Sequence, residues 1–87
     1  MSVTLSGSEG ELVSIRIRVA ARSLEELLEA LSEISFPINP QLRHTSPDTV
    51  VEFPAYVGRL GEVRAVLARR GFSDDTIEIH PALDAVV

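Results

Sequence analysis

The spacing of apolar residues changes along this chain between a two-residue and a 3.6-residue period, in the order strand, helix, strand, strand, helix, strand. From Leu12 to Ala20, valine and isoleucine alternate with serine and arginine, which predicts a strand with one apolar and one wet face. Apolar residues then recur every three or four positions as far as Ile34, which predicts an amphipathic helix over 23–35. This order of periods indicates a small α+β domain.

The sequence also predicts where the first helix starts and which of its sides is polar. Ser23 followed by Glu26 is typical of a capping box, in which the serine hydroxyl accepts a hydrogen bond from the first turn. The side of the helix opposite the apolar stripe carries four glutamates, which we expect to be solvated. They are Glu25, Glu26, Glu29 and Glu33.

Two prolines mark the second strand, which we predict over 38–44, as an edge strand, because proline cannot donate to a ladder. The turn formers at 45–48 and the apolar run at 49–53 predict a hairpin. A four-residue turn places Leu42 opposite Val51 and Gln41 opposite Glu52, so apolar residues meet apolar ones and polar residues meet polar ones.

The second half of the chain predicts a helix over 56–71 and a last strand over 76–80. Pro54 ends the third strand and opens this helix. Its apolar stripe is Val57, Leu60, Val63 and Leu67. Gly71 follows two arginines, a pattern typical of a left-handed helix cap. In the last strand we expect Ile77 and Ile79 to point inward.

Two interlocked right-handed β-α-β crossovers resemble the ferredoxin-like βαββαβ architecture. This resemblance implies an antiparallel sheet of spatial order 4-1-3-2 with two helices on one face, and it puts the proline-bearing strand at an edge. We predict one domain over 1–87, with its core at about 11–81 and terminal extensions at 1–10 and 82–87.

Composition excludes several function classes. The chain has no cysteine and no lysine, so thiol and Schiff-base chemistry are excluded, and we expect no cofactor. Thirteen acidic residues against eight arginines give a net charge of −5, which disfavours nucleic acid. The open sheet face should carry no aromatic residue on which a base could stack. We expect no metal, because His44 and His80 fall on opposite edge strands.

Location is predicted from what the chain lacks. It has no run of 18 apolar residues and no basic start followed by an apolar stretch. We therefore expect a cytoplasmic protein that does not enter a membrane. Because all its basic residues are arginine, whose codons are rich in G and C, we expect a bacterial source with a high-G+C genome.

An enzyme interpretation starts from acylphosphatases, which the chain resembles in size and strand order. That family cradles phosphate in a glycine-rich, arginine-containing loop after the first strand. Here the loop has Arg22 but no glycine, and two glutamates follow directly. Arg22 and Asn39 are the residues that could take the phosphate-binding role. Since no nucleophile stands beside a base, we predict that the protein is not an enzyme.

A binding or regulatory role is the preferred interpretation. The chain resembles the small-ligand-sensing ACT domains in size and layout, although the glycine usual at their first turn is missing. The candidate site lies on the open sheet face. Its residues could form a cross-strand charge ladder, or could orient a small carboxylate or a protein partner, because arginine binds carboxylates in a bidentate fashion. They are Arg16, Arg18, Arg43, Glu52 and Glu78.

Self-association is the last expectation. The strand predicted at 76–80 has no proline or lysine to protect an exposed edge. Apolar residues follow it at Leu83, Val86 and Val87. We predict a homodimer that buries this edge together with the tail, and a purely structural or partner-binding subunit is the alternative.

Overall fold

The computed structural model describes residues 10–82 of the chain. Three short 3-10 turns, at Ala21–Ser23, Val57–Arg59 and Asp74–Thr76, join the main elements. The strands are β1 (Leu12–Ala20), β2 (Gln41–Thr45), β3 (Asp48–Tyr56) and β4 (Ile77–Pro81), and the helices are α1 (Leu24–Leu31) and α2 (Leu60–Arg69).

The four strands form one antiparallel sheet in the order β2-β3-β1-β4. Read from its other edge, this is the predicted order 4-1-3-2. The α+β class is confirmed, and the arrangement is compatible with the ferredoxin-like architecture. As predicted, β2 is an edge strand, and β1 and β3 lie in the centre.

The core lies between one face of the sheet and the two helices. Ile15 and Ile17 of β1, together with Val51 and Phe53 of β3, are almost completely buried. Both helices contribute to the same cluster, through Leu27, Ala30, Leu31, Val63, Val66 and Leu67. The predicted apolar stripe of α1 is therefore confirmed, and both helices cover one face, as expected from the two crossovers.

The ends of α1 differ from the prediction. Ser23 makes no capping hydrogen bond, and its φ of −98° and ψ of 1° depart from the extended conformation of an N-cap. The capping-box prediction is wrong because a 3-10 turn, Ala21–Ser23, precedes the helix. The helix also ends at Leu31, before the predicted boundary at 35. The hydroxyl of Ser32 donates to the Glu29 carbonyl at 2.6 Å, and Pro37 disfavours helix beyond this point.

The hairpin has the predicted register but a tighter turn. Leu42 lies opposite Val51 and Gln41 opposite Glu52, as predicted. Thr45 already pairs with Asp48, so the loop is two residues long and contains a cis Ser46–Pro47 bond. β2 starts at Gln41 and not at 38, and Leu42 stays 45% exposed at the sheet's edge.

The expected end of β3 at Pro54 is wrong, because the strand continues to Tyr56 and Pro54 pairs with Ser14. This is tolerated because β2 pairs with β3 only as far as Glu52, so the rest of β3 has a single partner. As a result, α2 starts at Leu60, and Val57 is 42% exposed and not part of the buried stripe.

The end of α2 is as predicted. Gly71 has a φ of +85°, a left-handed conformation that glycine adopts without strain. Its N–H donates to the Ala68 carbonyl at 3.0 Å, and the N–H of Phe72 donates to the Leu67 carbonyl at 2.9 Å. These two bonds define a Schellman cap. In β4, Ile77 and Ile79 pack against the core, as expected, whereas Leu83, Val86 and Val87 lie outside the described residues.

Candidate functional site

All five candidate residues lie on the open face, the side of the sheet away from the helices. Arg16 of β1 stands opposite Glu52 of β3 and Glu78 of β4. Arg18 stands opposite Val50, and Arg43 of β2 stands opposite the same valine. Directly opposed residues of antiparallel strands point to the same side, so the structure brings these side chains together as the alternation predicted.

Glu52 is the centre of a hydrogen-bonded cluster on this face. The hydroxyl of Ser14 donates to Glu52 Oε2 at 2.7 Å, and Arg16 Nε donates to the same oxygen at 3.0 Å. Arg43 Nη2 donates to the other oxygen, Oε1, at 2.9 Å. The Ser14 hydrogen bond, helped by the two guanidinium groups, holds the pKa of Glu52 below its usual range. This part of the expected charge ladder is present.

Glu78 takes a different partner from the one expected. Its Oε1 lies 3.1 Å from Nε2 of His80, two residues along the same strand. That hydrogen bond, followed by the charges of Arg18 and Arg16, lowers the pKa of Glu78. No arginine of the described chain forms an ion pair with Glu78, so the ladder does not extend to β4.

Arg18 is the arginine of the candidate site that does not belong to the hydrogen-bonded cluster around Glu52. Its side chain is exposed, and it forms no hydrogen bond or ion pair with any residue between 10 and 82. It lines a cleft of about 210 Å³ on the open face. We call this the arginine cleft, and its lining residues are Arg16, Arg18, Arg43, Thr45, Val50 and Glu78.

The charges around the arginine cleft favour an anion. Three arginines and one carboxylate, Glu78, line it, and a second carboxylate, Glu52, accepts hydrogen bonds from both Arg16 and Arg43. Three positive charges therefore meet two negative ones, and Glu78 is hydrogen-bonded to His80. The floor is Val50, which is only 7% exposed beneath the longer side chains. An anion entering from solvent would therefore meet Arg18 with its five N–H donors uncommitted to the described chain.

A larger depression, which the sequence did not reveal, lies at the free edge of β3, between Tyr56 of the open face and Phe36, which packs against the core. It has a volume of about 410 Å³. We call it the aromatic pocket, and its lining residues are Leu12, Phe36, Pro37, Pro54, Ala55, Tyr56 and Arg59. The guanidinium of Arg59 lies 5.4 Å from the centre of the Phe36 ring, within the range of a cation–π contact.

The aromatic pocket exists because β2 is short. Pro37 and Pro40 bracket the segment before β2, which is not part of the sheet, and β3 is unpaired on that side beyond Glu52. Tyr56 stands opposite Leu12, on the same side of the sheet as Arg16. The expectation of an open face without aromatic residues is therefore wrong. The signal was the alternation Glu52, Pro54, Tyr56, which continues past the proline and puts Tyr56 on the same side as Glu52.

The residues considered for metal or phosphate binding are not brought together. His44 Nδ1 lies 3.0 Å from Thr49 Oγ1, and His80 is on the opposite edge strand. Among residues 10–82, no three histidine, aspartate or glutamate side chains converge as a metal site would require. Arg22 follows the end of β1, whereas Asn39 lies beside Ser14, about 20 Å back along that strand.

Two other carboxylates, Glu33 and Glu62, link the helices. The sequence predicted Glu33 to be solvated and made no prediction for Glu62. Glu33 accepts hydrogen bonds from Arg70 at 2.6 Å and from Arg69 at 3.3 Å, and these lower its pKa. Glu62 accepts from the N–H of Ser35 at 2.6 Å, which lowers its pKa too. The contacts join α1 and its C-terminal turn to α2 and have a structural role.

The sequence matches no model of a known protein family, and a comparison with curated proteins finds no match either. Within the described residues, the structure has no helix that is both long and apolar enough to cross a membrane.

Proposed function

We propose that this protein is a non-catalytic binding module whose open sheet face recognises a carboxylate-bearing ligand. The observation that carries the proposal is the state of Arg18. It lines the arginine cleft, and it has no hydrogen-bond or ion-pair partner in the described part of the chain. Arg16 and Arg43 are both held by Glu52, which fixes two positive walls around the uncommitted guanidinium.

A carboxylate is the ligand group that fits best. Arginine presents a planar fork of donors that matches the two oxygens of a carboxylate, and such charge-assisted bonds are about twice as strong as neutral ones. Thr45, the hydroxyl in the cleft, already donates to the Asp48 carbonyl. The groups that line the cleft therefore favour binding over nucleophilic chemistry.

The resemblance to ACT domains supports a regulatory role for this binding. The two layers and the strand order β2-β3-β1-β4 are compatible with such domains, and in our proposal the ligand is sensed on the open face of a small bacterial, cytoplasmic protein. The missing glycine after the first strand means that the ligand would sit differently here.

The test is a calorimetric titration of the full chain with succinate, a small dicarboxylate. We expect saturable binding that weakens as salt rises, since the interaction is electrostatic. Arg18→Gln should abolish the heat of binding. Arg22→Gln is the matched control, because Arg22 is exposed, lies outside the cleft and has no partner in the described chain. Equal binding by both variants would refute the role of Arg18.

Self-association is a second candidate property, favoured by the outer edge of β4. β4 pairs with β1 on one side, and no strand of the described chain pairs with it on the other. Lysine and proline are residues that protect an exposed edge from pairing. β4 has no lysine, and its proline, Pro81, is its last residue. We propose a dimer through this edge, with the predicted tail residues contributing.

Light scattering tests the dimer. The full chain should have twice the monomer mass at about 0.1 mM, since stable interfaces generally hold well below that concentration. Removing 82–87 should shift it towards monomer. A full-length chain that stays monomeric at that concentration would contradict the proposal.

A further inference from the structure

Three depressions lie on or beside the open face, and a fourth, smaller one connects them through shared lining residues. The arginine cleft lies at Arg18 and Val50. The aromatic pocket lies at Leu12 and Tyr56. Between them is a polar depression of about 190 Å³, whose lining residues are Ser14, Asn39, Gln41, Glu52, Phe53, Pro54 and Ala82.

Shared lining residues link these depressions in series, and we call the series the groove. Pro54 lines both the polar depression and the aromatic pocket. Gln41 and Glu52 also line a smaller depression of about 120 Å³, which shares Arg43 with the arginine cleft. From Arg18 to Leu12, β1 rises about 20 Å at about 3.4 Å per residue. The groove is thus basic at one end, polar in the middle and apolar at the other.

The polar depression in the middle of the groove favours one class of ligand over another. Asn39 and Gln41 are exposed there, and their side chains form no hydrogen bond with another residue of the described chain. Such amides offer both a donor and an acceptor, which suits the amide groups of a peptide backbone. A lipid chain of the same length would place methylene groups against these amides and leave the amides without a polar partner.

We propose that the open face binds an extended acidic peptide segment of a partner protein, with a carboxylate side chain at Arg18 and an apolar side chain in the aromatic pocket. The proposal rests on the proposed function, since Arg18 is its anchor. Residues one and seven of an extended peptide lie about 20 Å apart and, being separated by an even number, point to the same side. That spacing matches the two ends of the groove.

The experiment is a double-mutant cycle read by calorimetry. The probe is an N-acetylated, C-amidated heptapeptide with aspartate first, leucine seventh and serine and threonine between. On the natural chain, replacing the leucine by serine should weaken binding about tenfold, the effect of burying one aliphatic side chain. In Tyr56→Ala, which removes one wall of the pocket, the same replacement should change binding less than threefold.

A matched variant and a second ligand make the result specific. Val57→Ala should keep the tenfold effect, because Val57 is equally exposed but does not line the pocket. Moving the leucine to position six should remove the effect, because the side chain then points away from the sheet. Dodecanoate, which has a carboxylate and an apolar tail but no polar middle, should bind more weakly than the peptide.

The outcomes separate this inference from the function on which it rests. If succinate binds through Arg18 but the leucine makes no difference, the peptide proposal is overturned and carboxylate recognition stands. Tighter binding of dodecanoate than of the peptide would likewise overturn the peptide proposal. If neither succinate nor the peptide binds, both proposals are refuted.

Discussion

The two faces of the sheet are built from the same strands but stabilise the protein in different ways. On the covered face, Ile15, Ile17 and Phe53 are packed against both helices and are almost completely buried. Their contribution is non-directional and depends on area and volume. On the open face, Glu52 is held by three specific donors, while Arg18 has no such partner in the described chain. The covered face specifies the fold, and the open face leaves one arginine without a hydrogen-bond partner in the described chain.

The largest expected effect comes from the covered face. Ile15→Ala should lower the free energy of unfolding by about 2 to 5 kcal/mol, through lost burial and the cavity left behind. Leu42→Ala is the matched control. It lies on the same side of the sheet but is 45% exposed, so it should cost less than about 1 kcal/mol. Urea denaturation measures both.

Equal losses would mean that Leu42 is covered in solution, and the contrast between centre and edge would fail. If Ile15→Ala does not fold, Ile15→Val should still cost about 0.5 to 1.5 kcal/mol.

On the open face, Glu52→Gln should have the largest effect, about 1 to 2 kcal/mol. It removes the charge that Arg16 and Arg43 share and weakens the bond from Ser14. Partial exposure of the arginines keeps the loss moderate. Glu25→Gln is the control, because this exposed residue has no partner in the described chain, and it should change stability within about 0.5 kcal/mol. A loss below that for Glu52→Gln would show that the cluster does not brace the sheet.

The pH dependence of stability should separate Glu52 from the core. The Ser14 hydrogen bond and the two arginines lower the pKa of Glu52 in the folded state. Its stabilisation is therefore complete above its unfolded pKa, about 4.3, and is lost as pH falls through the folded value. Unfolding curves between pH 7 and pH 3 should show a smaller acid loss for Glu52→Gln than for the natural chain. Parallel curves would contradict the assignment.

The smallest effect on stability should come from Arg18→Gln. Because Arg18 is exposed and unpaired within the described chain, the change should cost less than about 0.5 kcal/mol. Arg22→Gln should be equally neutral. A loss above about 1 kcal/mol at Arg18 alone would mean that a second subunit or another part of the chain covers the cleft, and the open face would not be free for a ligand.

Much of this fold could be predicted from the sequence, and the exceptions have two causes. The alternation from Leu12 to Ala20 predicted β1 to the residue, and Gly71 predicted the end of α2. Both signals are local. The predicted end of β3 was wrong because it depends on a distant partner: Pro54 is tolerated where β2 no longer pairs with β3, beyond Glu52. The predicted end of α1 was wrong for a local reason, since Ser32 bonds back to the Glu29 carbonyl and Pro37 disfavours helix.

For the candidate site, too, the sequence predicted the local features and missed those that depend on tertiary contacts. Alternation placed Arg16, Arg18 and Glu52 on one face, and the structure has them there. It did not predict which charges pair: Glu78 contacts His80, and Glu52 takes Arg16, Arg43 and Ser14. Several pairings satisfy one register, since long side chains reach more than one neighbour, and small differences in distance decide among them.

The sequence by itself determined the order of elements, the sheet topology and the face on which Arg16, Arg18 and Glu52 lie, because periodicity, proline and glycine act over a few residues. Only the tertiary structure decided that Arg18 stays without a partner in the described chain and that a pocket opens beside Tyr56. The first depends on Glu52 and Glu78 taking other partners, and the second on β2 ending its pairing at Glu52. The physical reason is that a missing partner and an open pocket result from how the surrounding residues pack. No local sequence pattern encodes them, whereas alternation encodes a strand.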